Sequence, residues 1–336
     1  TGEIVHFRSR SFCWDILTDP AYRKKIVITD PVYVENRQPS PEENQSFMPH
    51  LSAIVFLGAV RKSRSNSFEP GLMRYFKSNR ICGFIPDRRD LLYDALAFTS
   101  RATGCLDRSK EEAIINSQKP VSIDDEDLKS VTAPYEYLWD LDTGEKPQEK
   151  YNVVVWDFST SYNLLRNLRK LGCRLRMVPA DTFPEDIVAL HPDGVIIAGD
   201  SIAPESSEKI IPRIERLIGI RPILGVRCGA VSLASALGIE TAPLETPHFG
   251  TAIPVEDIRT GKVEATYQAH SKTLDLSSAE RSGTTITHIN VCDDSPEGFI
   301  NYEYQVMGSL YSDSFEETPQ YLRSFRGVLE KSFQYT

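Results

Sequence analysis

The sequence predicts an α/β protein in which a smaller mixed α/β domain precedes a doubly wound α/β domain. Strands and helices alternate regularly after residue 150, and each of these strands is almost entirely apolar. Apolar strands of this kind are typical of a parallel sheet that helices cover on both faces. A charged, proline-containing segment comes before the alternation and has the composition of a domain boundary. We therefore predict domains at 1–120 and 151–336, joined by a linker at 120–150.

The first domain is predicted to contain both strands and helices. IVITD and AIVFLGAV are short runs rich in β-branched residues, which favour strands. GLMRYFKS and RRDLLYDALAFTS carry apolar residues at helical spacing. This order of elements predicts a mixed α/β fold for the first domain.

The second domain is predicted to begin with a strand at YNVVVWDF, because this run is apolar and rich in valine. Helices and strands then alternate in the order expected of a doubly wound sheet. The last part is rich in Thr, Val and Tyr and predicts further strands that a C-terminal helix, YLRSFRGVLEKSF, closes. The alternating elements are NLLRNLRKLG (helix), RLRMVP (strand), PEDIVALH (helix), DGVIIAG (strand), SEKIIPRIERLIG (helix), PILGV (strand) and CGAVSLASALG (helix).

The charge of the chain bears on its partners. The 336 residues include 38 Lys and Arg and 47 Asp and Glu, which gives a formal net charge of −9. Such a chain has no general attraction to nucleic acid or to anionic membranes, so we predict neither as a partner. The sequence has no apolar run of about 18 residues, and its first residues lack the apolar core of a signal peptide. These features predict a cytoplasmic protein with a small-molecule or protein partner.

The six cysteines form no recognised metal-binding or disulfide pattern. They include no C-x-x-C pair, and no histidine stands near them at the spacing of a zinc site. The sequence also lacks the phosphate-binding G-x-x-x-x-G-K-[ST] loop, the G-x-G-x-x-G fingerprint and the H-E-x-x-H motif. We therefore predict no bound metal and no cofactor.

The segment LGVRCGAVSLASALG is the clearest candidate for a site, because a buried strand enters a helix there through glycine and other small residues. This pattern is typical of a nucleophile elbow, in which a strained turn exposes a nucleophile beside backbone N–H groups that hold an oxyanion. It is equally typical of a tight packing turn without a catalytic role. Ligands of parallel sheets bind outside the carboxyl ends of the strands, which is where this turn falls.

Three blocks, in order along both domains, resemble the small subunits of carbamoyl-phosphate synthetase. GEIVHFRSRSFCWDILTDPAY resembles the family's first block, PDRRDLL is similar to its D-T-R-x-L segment, and HPDGVIIAG through PILGVRCGAVSLASALG resembles its class I glutamine amidotransferase core. The resemblance implies an amidotransferase-like second domain and a first domain that docks on a large synthetase subunit. It also implies ammonia release from glutamine by a Cys-His-Glu triad, in which the thiolate attacks the amide and the histidine shuttles the proton.

The triad positions that the resemblance implies hold other residues. A gapless alignment of the elbow places Arg227 at the nucleophile and Cys228 one position later. Arginine is permanently protonated and cannot act as a nucleophile. The resemblance therefore implies a degenerate member of the family that lacks glutaminase activity. The histidine and glutamate positions fall at Ser312 and Ser314, or at Tyr311 and Asp313 after a one-residue shift.

The glutamine pocket that the resemblance implies is also altered. AGDSIAP replaces two glycines of the family's oxyanion loop by Asp200 and Ile202, and bulkier residues there obstruct the close approach of the backbone. QAHSK stands in place of the block that contacts glutamine, and Val231 stands in place of the glutamine after the elbow. Ser9 of the first block is retained.

One hypothesis is a binding or partner module with a rebuilt cationic pocket. An arginine beside a helix N-terminus is a good receptor for carboxylate or phosphate. The alternative is that the basic residues turn outward, or that Arg227 pairs with Asp200 and fills the pocket. Such a module would bind an anionic small molecule, and would regulate or scaffold a synthetase-like large subunit or form a homo-oligomer. The candidate ligand-binding residues are Arg227, Lys272, Ser9, Arg10 (or Arg8) and Asp200.

The other hypothesis is a repurposed enzyme of acyl or amide transfer. A one-residue register shift would place Cys228 in the strained turn, where Arg227 or the helix N-terminus would favour its thiolate. His248 and His270 are the base candidates by family position. The shift would also turn the side chains of a buried strand to the opposite face, and both histidines have a purely structural alternative.

Overall fold

The computed structural model describes most of the chain, and it divides that chain into two compact units. The first comprises Thr1–Ser122 with Phe249–Thr251, and the second comprises Ile123–His248 with Ala252–Thr336. The described residues are 1–9, 12–31, 33–35, 37–57, 59–60, 71–87, 102–105, 109–117, 129–140, 148–199, 204–312 and 318–332.

The first unit is a mixed α/β structure built on a sheet in the order β6-β4-β2-β1-β7. Strands β1, β2, β4 and β6 are parallel, β7 is antiparallel to β1, and β3 pairs with β5. The elements are β1 (Gly2–Phe7), β2 (Lys25–Thr29), β3 (Tyr33–Val34), β4 (Ala53–Phe56), β5 (Ala59–Val60), α1 (Gly71–Ser78), β6 (Cys82–Phe84), β7 (Ala102–Gly104) and α2 (Lys110–Ser117).

The strand predicted at IVITD corresponds to β2, and the helix predicted at GLMRYFKS is α1. The single strand predicted at AIVFLGAV is divided between β4 and β5, which belong to different sheets. Apolar side chains of β2 and β4, among them Ile26, Ile28 and Val55, form a buried cluster. The helix predicted at RRDLLYDALAFTS lies outside the described residues.

In the second unit, ten of the described strands form one sheet, in the order β14-β13-β15-β16-β17-β12-β11-β9-β10-β8. The elements are β8 (Tyr137–Leu138), β9 (Tyr151–Phe158), α3 (Tyr162–Lys170), β10 (Cys173–Val178), α4 (Pro184–Ala189), β11 (Gly194–Gly199), α5 (Pro204–Glu215), β12 (Ile223–Arg227), α6 (Cys228–Ala236), β13 (Thr241–Asp257), β14 (Lys262–Leu274), α7 (Leu276–Arg281), β15 (Thr285–Asn290), β16 (Pro296–Asn301), β17 (Val306–Ser309) and α8 (Gln320–Ser332).

The centre of this sheet is parallel, and helices cover both of its faces. Strands β10, β9, β11, β12 and β17 run parallel to one another. Val153 and Val155 of β9 pack in one core with residues of α3 and α8. Val154 and Trp156 pack on the opposite face with residues of α4, α5 and α6. Because successive side chains of a strand point to opposite faces, this division confirms the predicted doubly wound fold.

Antiparallel strands extend the parallel centre on one side. Strands β15 and β16 pair antiparallel with a register shift near His288, and β16 pairs antiparallel with β17. The long strands β13 and β14 follow at the edge. These strands carry His248 and His270, so this extension positions two of the predicted site residues.

The described part of the predicted linker contributes to the second unit. Within 129–140, the short strand β8 pairs antiparallel with β10. Ala133 and Trp139 are buried in the core that α3 and α8 cover. None of the described helices combines the length and the apolar character needed to cross a membrane.

Candidate functional site

A strained turn joins β12 to α6 at the carboxyl edge of the parallel strands. Arg227 is the last residue of β12 and has φ 56° and ψ −123°, whereas Cys228 is the first residue of α6. Glycines allow the strand and helix to approach closely. A Cβ atom at Gly229 would lie 2.0 Å from the carbonyl oxygen of Ile197, and one at Gly225 would lie 2.7 Å from the Cα atom of Ala230. The turn has the form of a nucleophile elbow, with arginine at its strained position.

The side chain of Arg227 is buried and contacts Ser312 and Tyr267. Its Nη2 atom donates a hydrogen bond to Ser312 Oγ at 2.7 Å, and its guanidinium carbon lies 5.1 Å from the centroid of the Tyr267 ring. Strands β12 and β17 are parallel neighbours, so their carboxyl ends meet at the same edge and bring Ser312 to the elbow. Ser312 also forms an isolated antiparallel bridge with Tyr267.

Ser312 is the position that the family resemblance assigns to the histidine base. The residue at the nucleophile position therefore donates a hydrogen bond to the residue at the base position. A seryl hydroxyl does not accept a proton at neutral pH, and a guanidinium does not release one. A pair of this kind supplies neither a thiolate nucleophile nor an imidazole base.

Tyr311, the alternative position for the histidine, is fully buried between two aromatic rings. It packs edge-on against His288 and Tyr321, with ring centroids 5.7 Å and 5.5 Å away. Burial raises the pKa of the Tyr311 hydroxyl well above its ordinary value, and nearby carboxylates raise it further. A phenol held in its neutral form is a poor general base.

His248 and His270 lie on either side of Glu297, which has no exposed surface. His248 Nδ1 is 3.0 Å from Glu297 Oε1, and His270 Nε2 is 3.1 Å from Glu297 Oε2. The second nitrogen of each ring is also occupied, because His248 Nε2 lies 2.9 Å from Asp293 Oδ2 and His270 Nδ1 lies 2.8 Å from the carbonyl oxygen of Lys272. All four ring nitrogens thus face groups other than Cys228.

The electrostatics of this cluster keep Glu297 ionised. Burial disfavours its charge, but the positive charge of His270 and the hydrogen bond from His248 lower the pKa of Glu297 to about 2. Burial also acts to lower the pKa of His248, but its hydrogen bonds to Glu297 and Asp293 outweigh burial and raise that pKa above its ordinary value. The donor atoms of His248, His270 and Glu297 all lie within 4.8 Å of one another, as the ligands of one metal ion would.

The side chains of the remaining predicted residues make other contacts, are exposed, or lie outside the described residues. Ser9, in the first unit, shares a hydrogen bond with Thr251 Oγ1 at 2.8 Å. Lys272 has an exposed side chain on β14, in contrast to the buried Arg227. Arg10 and Asp200 lie outside the described residues. Cys228 is partly exposed at the start of α6.

No sequence motif singles out Glu297 or Asp293. Glu297 stands in PEGFIN, a strand in which every residue is buried. A carboxylate inside such a strand is rarely buried without a partner. An acidic residue in an otherwise buried strand is therefore the sequence signal that points to Glu297. Asp293 stands in a turn rich in acidic residues, and no local pattern distinguishes it from its neighbours.

The chain is similar to known proteins over nearly its whole length. A family model described as glutamine amidotransferase class-I matches residues 154–309. The carbamoyl phosphate synthase small chain of Syntrophotalea carbinolica is 32% identical, covering 99% of this chain and 93% of that protein. The chloroplastic small chain of Arabidopsis thaliana is 27% identical, covering 99% and 81%. A solved glutamine amidotransferase from Thermotoga maritima is 14% identical with a TM-score of 0.39, covering 55% of this chain and 97% of that one.

Proposed function

This chain belongs to the family of carbamoyl phosphate synthase small chains, and we propose that it binds an anionic small molecule at the elbow instead of hydrolysing glutamine there. One observation carries the proposal: Arg227 occupies the strained elbow position and donates a hydrogen bond to Ser312. Neither residue can replace the thiolate and the imidazole of a glutaminase. Members of a catalytic triad act as a unit, so the remaining pocket retains no activity of this kind.

The charge at the elbow supports an anionic ligand. Arg227 brings a permanent positive charge to the first turn of α6, whose backbone N–H groups and helix dipole also favour an anion. A guanidinium binds carboxylate or phosphate through two parallel hydrogen bonds, which neutral glutamine cannot match with its amide. In this proposal Lys272 adds a more distant positive charge. Asp200 is the competing internal partner, which would fill the pocket without a ligand.

Thermal unfolding tests the anionic ligand. Inorganic phosphate and small mono- and dicarboxylates are added to the full chain and to Arg227→Gln, with the exposed Arg216→Ala as the control. A ligand that binds only the folded state, and whose concentration is about 100 times its Kd, adds about 2.7 kcal/mol to the free energy of unfolding. We expect at least one anion to raise Tm for the wild type and the control but not for Arg227→Gln. If the anion still raises Tm in Arg227→Gln, or if no anion in the panel raises Tm of the wild type, the anionic-ligand proposal fails and the pocket filled by Asp200 is favoured.

The family membership also supports a partner role. We propose that the chain forms a complex with a synthetase-like large subunit and acts as its scaffold. Size-exclusion chromatography with light scattering of the chain, alone and mixed with a carbamoyl phosphate synthase large chain from the same organism, tests this. A complex with one copy of each chain is expected. Separate elution of the two chains would contradict it, and a stable homodimer would favour the homo-oligomer.

An acyl or amide transferase that uses Cys228 is the alternative function. The partial exposure of Cys228 at the start of α6 is the observation in its favour. Iodoacetamide labelling followed by peptide mapping separates the two functions, with the exposed Cys82 and Cys292 as internal references. We expect Cys228 to react more slowly than both references. Faster labelling of Cys228, together with its protection by a substrate, would support the transferase.

A further inference from the structure

We propose that His248, His270 and Glu297 form a binding site for a divalent transition-metal ion, with zinc as the metal that best suits the donor set. Two imidazole nitrogens and one carboxylate are a set that binds Zn²⁺ in proteins. The three side chains come from β13, β14 and β16 of the second unit, and this proposal is independent of any role for Arg227.

The orientation of both imidazole rings is the first argument. His270 Nδ1 lies 2.8 Å from the carbonyl oxygen of Lys272, an atom that only accepts hydrogen bonds, so Nδ1 carries the proton. His248 Nε2 lies 2.9 Å from a carboxylate oxygen of Asp293, which places a proton on Nε2 in the same way. In a neutral His270 the lone pair of Nε2 then faces Glu297. His248 hydrogen-bonds to a carboxylate through each of its nitrogens, so it would release the Nδ1 proton when it binds a metal ion. Acceptors that hold the outer nitrogen of a histidine are typical of metal sites.

The unsatisfied atoms at the centre of the cluster are the second argument. His270 Nε2 and Glu297 Oε2 are 3.1 Å apart, but their geometry is not that of a hydrogen bond. Each of these buried atoms lacks a hydrogen-bond partner among the described residues. The two side chains are 4% and 0% exposed, so bulk water does not solvate them. A cation between them would satisfy both atoms.

The distances and charges fit a metal ion. Zinc binds nitrogen and oxygen at about 2.1 Å, so neighbouring ligand atoms of one ion are about 3.0–3.4 Å apart. Each imidazole nitrogen lies 3.0 or 3.1 Å from an oxygen of Glu297. The three donor atoms lie within 4.8 Å of one another. Two atoms that are each about 2.1 Å from the same ion are at most about 4.2 Å apart, so binding would draw the donor atoms slightly closer together. The carboxylates of Glu297 and Asp293 would balance the two positive charges, which a buried ion requires.

Asn290 supports the carboxylate from the other side. Its Oδ1 atom accepts a hydrogen bond from the backbone N–H of Cys292 at 2.9 Å, which fixes the orientation of the amide. Its Nδ2 atom then lies 3.3 Å from Glu297 Oε1 and can donate to it. Asp293 is 39% exposed beside His248, so the site opens toward solvent on the side from which an ion would enter.

Metal binding to the full chain tests the proposal. The protein is treated with a chelator, and Zn²⁺ or Co²⁺ is then added while stoichiometry is measured by elemental analysis and affinity by titration calorimetry. We expect one ion per chain, and a Co²⁺ spectrum without the sulfur-to-metal band that binding at Cys292 would produce. A Co²⁺ spectrum with that band, or no ion retained, would overturn the proposal.

Three variants and a control localise the ion. His248→Ala and Glu297→Gln should abolish stoichiometric binding, whereas His191→Asn, which removes an exposed histidine of the same unit, should leave it unchanged. Glu297→Gln changes a fully buried group, so Asp293→Asn provides a milder variant that keeps all three ligands. We expect Asp293→Asn to weaken binding by about 10–100-fold. Unchanged affinity in both His248→Ala and Asp293→Asn would overturn the proposal.

Discussion

Arg227 combines a strained backbone with a buried charge. A non-glycine residue at φ 56° and ψ −123° lies in a sparsely populated region and costs about 1–3 kcal/mol. The hydrogen bond to Ser312 and the contact with the Tyr267 ring offset part of this cost. Residues in strained turns between a strand and a helix are typical of functional sites, where the surrounding structure holds the conformation.

The strain at Arg227 can be measured with two substitutions that both remove the guanidinium. Arg227→Gly and Arg227→Ala each lose the contacts with Ser312 and Tyr267, but only glycine adopts a positive φ without strain. We expect Arg227→Gly to be more stable than Arg227→Ala by about 1–3 kcal/mol in denaturant unfolding. Equal stability of the two variants would mean that the turn relaxes and stores no strain.

Asp15, in the first unit, is a buried carboxyl group whose ionisation opposes folding. Gln45 Nε2 donates a hydrogen bond to its Oδ2 atom. Burial, followed by the charge of Asp19 and that of Glu43, raises the pKa of Asp15 from 3.8 to about 8. In the folded protein at neutral pH the group is therefore protonated, whereas in the unfolded chain it is ionised.

This difference predicts a pH-dependent stability. Between pH 4 and pH 8 the unfolded state has released the Asp15 proton and the folded state has kept it, so this group destabilises the fold by about 1.4 kcal/mol per pH unit as the pH rises. Asp15→Asn is neutral in both states and removes this contribution. We expect the Tm of Asp15→Asn minus the Tm of the wild type to increase from pH 5 to pH 8. A difference in Tm that does not change with pH would contradict the raised pKa.

At the scale of elements, the small residues of α6 decide how closely this helix packs on the sheet. Gly229 lies against the backbone of β11, where a Cβ atom would meet the carbonyl oxygen of Ile197 at 2.0 Å. A backbone atom of a central strand cannot move aside without disturbing its own ladder. This is the physical reason for the glycine after Cys228 in the elbow.

Two glycine-to-alanine substitutions test this packing. Gly229→Ala should lower the free energy of unfolding by about 3 kcal/mol or more, because the added methyl overlaps β11. Gly327→Ala, in helix α8, is the matched control, since a Cβ atom there meets nothing within 4 Å. It should raise stability by about 0.5–1 kcal/mol through helix propensity. Similar stability changes in the two variants, measured by denaturant unfolding, would exclude tight packing at the elbow.

At the scale of the whole molecule, the second unit has the fold of a glutamine amidotransferase, and the family resemblance assigns Arg227 and Ser312 to the positions of the nucleophile and the histidine base. We therefore expect no ammonia release from glutamine by the purified chain, with or without a synthetase large chain. Loss of a nucleophile and its base lowers kcat by about 10⁶-fold in a well-studied triad. A glutamine-hydrolysing amidotransferase serves as the positive control in a coupled ammonia assay. Hydrolysis at a rate within a hundredfold of that control would mean that another residue supplies the nucleophile.

The order of elements in the second unit was predictable from the sequence. Apolar β-branched runs such as YNVVVWDF alternate with helical spacing, and both patterns are local properties of the chain. The elbow was predictable for the same reason, because the small residues around Arg227 are adjacent in sequence. The antiparallel extension was predicted only as strands, since pairing and register depend on contacts between distant segments.

The sequence by itself determined the fold class and the position of the elbow, because each follows from neighbouring residues. Only the tertiary structure decided that Arg227 bonds to Ser312, 85 residues away, and that His248 meets Glu297, 49 residues away. His248, His270 and Glu297 stand on three strands, and no local spacing links them. Their meeting depends on strand order and register, which the sheet sets through its hydrogen-bond ladder and its buried face.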